Sequence, residues 1–273
     1  MKNLIDKKNA VTVSIVFVVI LAAMLFMIPI QRQNEFRAKW GKLAELAQTD
    51  ERAKFITENE DLYSERILQF FYETPDQLDF VYNYAFHKND NLTMSFTDEE
   101  LNSKTVPALY MDDYRWCYQP MGNAYIRQNG CATLSLTMAY LYLTGDGDVN
   151  PHSVVLAAEA IGAVGPIGGI DGEKVDELCL ELGLRSKTYS FCSGREKTSH
   201  ADVVLLKEII DSGDVLMAIM IGDTFGDHAI IITGYDGNDF TINDPASREK
   251  TAKKWSFEEL EADMFYVYDI SKK

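Results

Sequence analysis

Histidine is scarce in this chain, at 4 residues in 273, and cysteine is equally scarce. His87, His152, His200 and His228 form no His-x-x-x-His pair, and Cys117, Cys131, Cys179 and Cys192 form no Cys-x-x-Cys, so a dedicated metal site is not expected. Four cysteines are too few for a disulfide framework in a chain this long; at most two bridges could form, and none is required. Positive charge is also short, with 26 Lys and Arg against 42 Asp and Glu and a net charge of −16. The imbalance is steeper beyond residue 30, because the first thirty residues hold three lysines and one aspartate. Such a surface repels nucleic acid and anionic lipid, so neither is an expected partner. No Gly-x-Ser-x-Gly elbow occurs, which argues against a serine hydrolase. The glycines at 162, 165, 168, 169 and 172 are followed by no Gly-Lys-Ser/Thr, so they read as a mobile loop beside a cleft rather than a phosphate cradle. No cofactor is implied.

What the chain does have is enough apolar residue for one sizeable core, with 47% hydrophobic and 25% charged side chains. Its single long uncharged run, Val11 to Ile30, covers 20 residues. At 1.5 Å per residue that matches a hydrocarbon core of about 30 Å. The run ends without an Ala-x-Ala-like cleavage site, so an uncleaved anchor is the expectation, ahead of a signal peptide. Lys2, Lys7 and Lys8 precede it and Arg32, Arg37, Lys39 and Lys42 follow. The short basic tail favours a cytoplasmic N-terminus and an exported bulk. The expected organisation is a cytoplasmic tail (1–10), a transmembrane anchor (11–30), a helical stalk or cap (31–105) and a globular domain (106–270).

Within the stalk, Phe36, Trp40, Leu43, Leu46 and Ala47 recur at helical spacing; Ile67, Leu68, Phe70 and Phe71 form a second apolar run, and Leu78, Val81, Tyr82, Ala85 and Phe86 a third. The polar stretch Lys88 to Lys104 reads as a linker. Beyond it, Gly130-Cys131 opens a helix closing at Gly145, and Asn150-Pro151 caps and starts another. Further helices are expected around Val175–Leu182 and Val203–Ile210. Val215–Ile221, His228–Tyr235, Asp239–Asn243 and Met264–Tyr268 read as strands, with a Ser256-x-x-Glu259 capping box before the last. Helices first and antiparallel strands afterwards is an α+β order.

Cys131 falls in the first turn of its helix, where unpaired backbone N–H groups favour a thiolate. An arbitrary cysteine there is more often a small buried residue, and a lone histidine such as His228 at a strand mouth is more often structural. The hairpin supplies a geometric test. A three-residue loop at 236–238 pairs Ile232 with Ile242 and sets His228 and Asp244 on one face as diagonal neighbours; a two-residue loop shifts the register by one and separates them.

Asp113-Tyr114-Arg115-Trp116, Asn129-Gly130-Cys131-Ala132 and His228…Gly234-Tyr235…Asn243-Asp244-Pro245 together resemble the peptidase C39-like family of papain-fold proteins. The resemblance runs from about Val106 to Ile270. It implies an α+β papain-like cysteine peptidase fold, with Cys131 as nucleophile, His228 as general base and Asp244 as the residue orienting the imidazole. The implied activity is hydrolysis of a peptide or related amide through a thioester, on a peptide or protein substrate. The family's Gly-Pro-Thr after the cysteine is Ala132-Thr133-Leu134 here. Its glutamine two positions before the Asp-x-Arg-Trp element, an amide that assists the oxyanion, is replaced by Met111. Gln128, three residues before the nucleophile, is then the candidate amide, as an oxyanion donor or as a solvated loop residue. The rival expectation is a cell-surface-anchored binding module that keeps the cleft and has lost efficient turnover.

Overall fold

The computed structural model describes Gly41 and residues 43–74, 77–88 and 94–273. The expected anchor Val11–Ile30 and its basic tail lie outside the described residues, among which no helix is long and apolar enough to cross a membrane. The chain divides into two compact units, Met1–Lys88 and Asn89–Lys273.

The first unit is helical: α1 (Glu51–Glu58), α2 (Glu65–Glu73) and α3 (Leu78–His87). Asp50 caps α1 by accepting the Arg52 N–H at 2.9 Å, and the Ser64 hydroxyl accepts the Ile67 N–H at the start of α2. Each bond satisfies a donor that the first helical turn leaves without a backbone acceptor. Ile56, Ile67 and Val81 are fully enclosed, and the Phe55 ring lies 5.4 Å from both Tyr82 and Phe86. The sequence pattern points to α2 and α3 but not to α1, whose eight residues bury only Ala53 and Ile56. The helix expected around Trp40 lies largely outside the described residues.

The second unit is an α+β domain built on one antiparallel sheet. Its strands are β1 (Leu184–Ser190), β2 (Val215–Met220), β3 (His228–Asp236), β4 (Asp239–Asn243), β5 (Trp255–Ser256) and β6 (Met264–Lys272), in the spatial order β1-β6-β2-β3-β4-β5. Five helices flank it: α4 (Cys131–Thr144), α5 (Pro151–Ala160), α6 (Val175–Glu181), α7 (Val203–Asp211) and α8 (Phe257–Asp263). Val215, Met217, Ala229 and Ile231 join the core that holds α4, α5 and α6; Leu216, Ala218, Ile230 and Ile232 join a second core with Leu206 of α7 and Leu260 of α8. With both faces covered, the central strands lose the alternation of a half-exposed sheet and read as continuous apolar runs.

The helix α4 is enclosed on all sides, with every residue from Ala132 to Ala139 buried. Polar side chains are buried along it as well: the Thr137 hydroxyl donates to the Thr133 carbonyl at 2.9 Å, while the Ser135 hydroxyl is enclosed without a partner among the described residues. Gly145 ends it in the left-handed region, φ 68°, donating its N–H to the Leu141 carbonyl.

Two expectations are corrected. The β3–β4 loop is a two-residue turn, Gly237-Asn238, closed by the pair Asp236–Asp239. The predicted separation of faces does not follow, because a β-bulge at Thr233 shifts the register back and restores the pairs Ile232–Ile242 and Ile231–Asn243. The stretch Lys88–Lys104 is not wholly a linker. Thr97 and Glu100 form a reciprocal capping box around a short helix, Asp98–Leu101, and Arg115 grips Glu100 through two bonds of 2.8 Å. The strand β1 is an addition; of its seven residues only Leu184 is buried, so it offers no apolar alternation to read.

Candidate active site

Three elements converge where α4 begins. Gly130 precedes the helix in a spot where any side chain would collide, since an added Cβ would lie 2.6 Å from the Ile126 carbonyl oxygen. Cys131 is the first residue of α4 and half-buried. His228 opens β3, and Asp244 follows the last residue of β4. The register restored at Thr233 keeps these two in reach of each other, and His228 Nε2 lies 2.6 Å from Asp244 Oδ1. That oxygen also accepts the Ala246 N–H at 2.8 Å, which fixes the carboxylate against the turn after Pro245. The Cys131 thiol is the imidazole's neighbour on the cleft side, where the two lie side by side in its lining and act on each other electrostatically. With Nε2 engaged by Asp244, Nδ1 is the nitrogen left for sulfur.

Burial alone pushes the Cys131 thiol up. The hydrogen bond and charge of His228 outweigh it, helped by the backbone N–H groups of Ala229 and Ala132, and hold the thiol below its ordinary value. Burial likewise works against a charged His228, yet the hydrogen bonds to Asp244 and Cys131 raise it to about 9. The two shifts point the same way, toward a thiolate facing an imidazolium. Cys117 and Cys179 go the other way, each pushed up to about 12 by burial. One cysteine is thus set apart from its buried fellows by its environment.

A cleft of about 350 Å³ opens over this pair, and Met111, Gln128, Ile167 to Ile170 and Ile219 are among its walls. Met111 is buried, and its N–H donates to the Pro245 carbonyl at 2.8 Å, so the segment that carries it is tied to the one that carries Asp244. Gln128 is half-buried; its Oε1 accepts the Tyr125 N–H at 2.9 Å, leaving the amide nitrogen as the end free for a ligand. The Asp113–Trp116 element lies apart from the reacting atoms. Its Arg115 bonds to Asp113 and Glu100 and stacks 4.2 Å above the Trp116 ring, whose Nε1 donates to the Tyr110 carbonyl, so the motif is a structural clip.

The profile of the Peptidase_C39 like family matches residues 111–272, more than half of the chain. The chain belongs to the Peptidase_C39 like family. No curated protein matches it. Among solved structures it is similar to a C39-like peptidase from Bacillus anthracis, with 15% identity over 60% of this chain and 94% of that one and a TM-score of 0.40. It is also similar to the peptidase domain of Streptococcus ComA, a bi-functional ABC transporter involved in a quorum sensing pathway, with 16% identity over 38% of this chain and 69% of that one and a TM-score of 0.30. Likenesses this distant assign no residue a role, and in this member of the Peptidase_C39 like family the roles rest on the geometry of its own site. The structure bonds His228 to Asp244, lines one cleft with Cys131 and His228, and sets Met111 and Gln128 in the same cleft. His87, His152 and His200 stand elsewhere, and among the described residues no cluster of three or more His, Cys, Asp or Glu could hold a metal ion. The motif around Cys131 includes Asn129, but nothing in the sequence pattern signals Ile167 or the bond between the two, which spans 38 residues along the chain.

Proposed function

We propose that this chain is a papain-like cysteine hydrolase of peptide or related amide bonds, with Cys131 as nucleophile, His228 as general base and acid, and Asp244 as its orienting partner. The observation that carries the reading is the His228 ring bonded at 2.6 Å to Asp244 Oδ1 in the same cleft lining as the Cys131 thiol. Cys131, as the thiolate that the neighbouring imidazolium favours, attacks the carbonyl carbon. The imidazolium then delivers its proton to the departing amine, and a thioester remains on Sγ. In the second half His228, now neutral, takes a proton from water as that water attacks the thioester, and Cys131 is regenerated. Two donors are proposed for the oxyanion of each tetrahedral intermediate: the Cys131 N–H in the first helical turn and the Gln128 side-chain amide.

The second reading is a binding module that retains the cleft, and Met111 favours it, because a thioether cannot donate to an oxyanion. An electrophilic thiol probe at neutral pH tests the nucleophile: the native chain is expected to label rapidly and at one site, and Cys131→Ala to lose that labelling. Cys117→Ala, Cys179→Ala and Cys192→Ala should keep it. Equal labelling in Cys131→Ala would sink the assignment, and fast labelling without hydrolysis of any peptide would favour the module.

The uncharged span Val11–Ile30 supports a single-pass anchor with the catalytic unit outside the cytoplasm. Protease added to intact cells is then expected to digest the chain beyond about residue 31, a position set by the span length. Full protection of the catalytic unit would reverse the orientation.

A further inference from the structure

The glycine-rich segment beside the cleft is held on both sides. Val164 and Ile170 form an antiparallel bridge, the Gly165 N–H reaches the Gly169 carbonyl and the Gly168 N–H reaches the Gly165 carbonyl, both at 3.0 Å. Two asparagines of the preceding segment clamp its outer turn: Asn123 Nδ2 donates to the Pro166 carbonyl at 2.9 Å, and Asn129 Nδ2 to the Ile167 carbonyl at 2.7 Å. Gly168 lies so close beneath that a Cβ would approach Ala124 Cβ to 2.6 Å, and its φ of 84° suits glycine alone. The expectation of a mobile loop therefore gives way to a braced one.

The brace holds a branched aliphatic side chain in water. Ile167 is 75% exposed, more than any other large apolar side chain among the described residues, and it stands at the rim of the cleft above Cys131. The same cleft is lined by the apolar Met111, Ile219, Ala229 and Ala246, alongside the polar Arg127, Gln128 and Asp227. An apolar group kept solvated by backbone hydrogen bonds gains most from an apolar partner, and a wall already ordered loses no conformational entropy when that partner arrives. Asn129 is two residues before the nucleophile, so its bond to Ile167 sets the distance between that rim and the reacting sulfur.

Building on the proposed peptidase reading, we propose that Ile167 is a specificity-determining residue that selects peptides with an apolar side chain beside the reacting carbonyl, and that Asn129 is the positioning residue that holds it there. The full chain is tested with two peptidyl chloromethyl ketones that differ only in Leu or Ala next to the ketone, and with iodoacetamide, which has no side chain to select. The native protein should label at Cys131 about tenfold faster with the Leu reagent, the scale on which a pocket separates aliphatic side chains. In Ile167→Ser the Leu-to-Ala ratio should fall toward one while iodoacetamide labelling keeps its rate and pH profile. Asn129→Leu preserves size and loses the donor without adding charge; it should lower the same ratio, again with the iodoacetamide pH profile unmoved. A native ratio of one, or a ratio unchanged in Ile167→Ser, with iodoacetamide labelling intact, overturns this inference and leaves the peptidase reading standing. Iodoacetamide labelling no faster than in Cys131→Ala removes both.

Discussion

At the scale of single residues the site is an electrostatic arrangement in which each partner sets the other. His228→Ala takes away the main influence that holds the Cys131 thiol down and leaves burial, which pushes it up, so both probe labelling and hydrolysis should be lost at neutral pH. Asp244→Asn keeps an oxygen for Nε2 but removes its charge, and it should retain the fold with a smaller loss of rate. The raised His228 value separates two readouts. As pH rises through about 9 the imidazolium loses the proton needed by the leaving amine, so hydrolysis should fall while labelling of the thiolate does not. The sign for stability follows from the same shift, since a histidine raised above its ordinary 6.5 stabilises the fold fully below that pH and loses the contribution on passing 9. Melting temperatures across that window would check it. Gln128 can be separated into its two ends: Gln128→Glu keeps an acceptor for the Tyr125 N–H and removes the donor. If the amide serves the oxyanion, both Gln128→Glu and Gln128→Ala should lower kcat by about a hundredfold, with iodoacetamide labelling of Cys131 retained. A purely structural role would spare Gln128→Glu. Met111→Gln should raise the rate if a second donor is still wanting.

At the scale of elements, what the sequence made legible was whatever local chemistry dictates. The helix from Cys131 to Thr144 announces itself by a glycine on either side, and the helix at Pro151 by its asparagine cap. Cys131, His228 and Asp244 could be singled out as candidates because they sit at or beside element ends, the one place where position along the chain fixes position in space. The pairing of Ile232 with Ile242 is as expected, yet it arises from a two-residue turn plus a bulge, and no residue type in Thr233 distinguishes that route from a longer loop. The edge strand β1 stayed hidden because its outer face is solvated, and the Asn129 clamp because a side-chain bond across 38 residues leaves no periodic trace. The clip at Arg115 makes a prediction of this kind. Its guanidinium bonds Glu100 through two nitrogens and stacks on Trp116, a fork geometry that lysine cannot copy. Arg115→Lys should therefore cost about 1–3 kcal/mol of stability, as for hydrogen bonds to charged groups. It should also expose residues 94–104 to proteolysis, with Cys131 labelling unaffected in the protein that stays folded.

At the scale of the whole molecule, everything proposed for catalysis and selection falls within Asn89–Lys273, and the polar stretch from residue 94 is part of that unit rather than a tether to it. Where the chain can change length without harm is then set by the sheet. Thr233 is the one residue in the β3–β4 ladder opposite no partner of its own, so between Ile232 and Ile242 the hairpin carries one residue more than a regular two-residue turn requires. That spare residue is slack. Deleting Thr233 straightens the ladder, and deleting Asn238 lets the turn borrow from the bulge; in either case Ile232 can still face Ile242 and His228 still meets Asp244. Deleting Ile230 has no such reserve, because it lies between His228 and the paired residues and turns the imidazole to the opposite face of the sheet. Over evolutionary time this hairpin should be a place where single-residue losses pass unnoticed by the chemistry a few residues away.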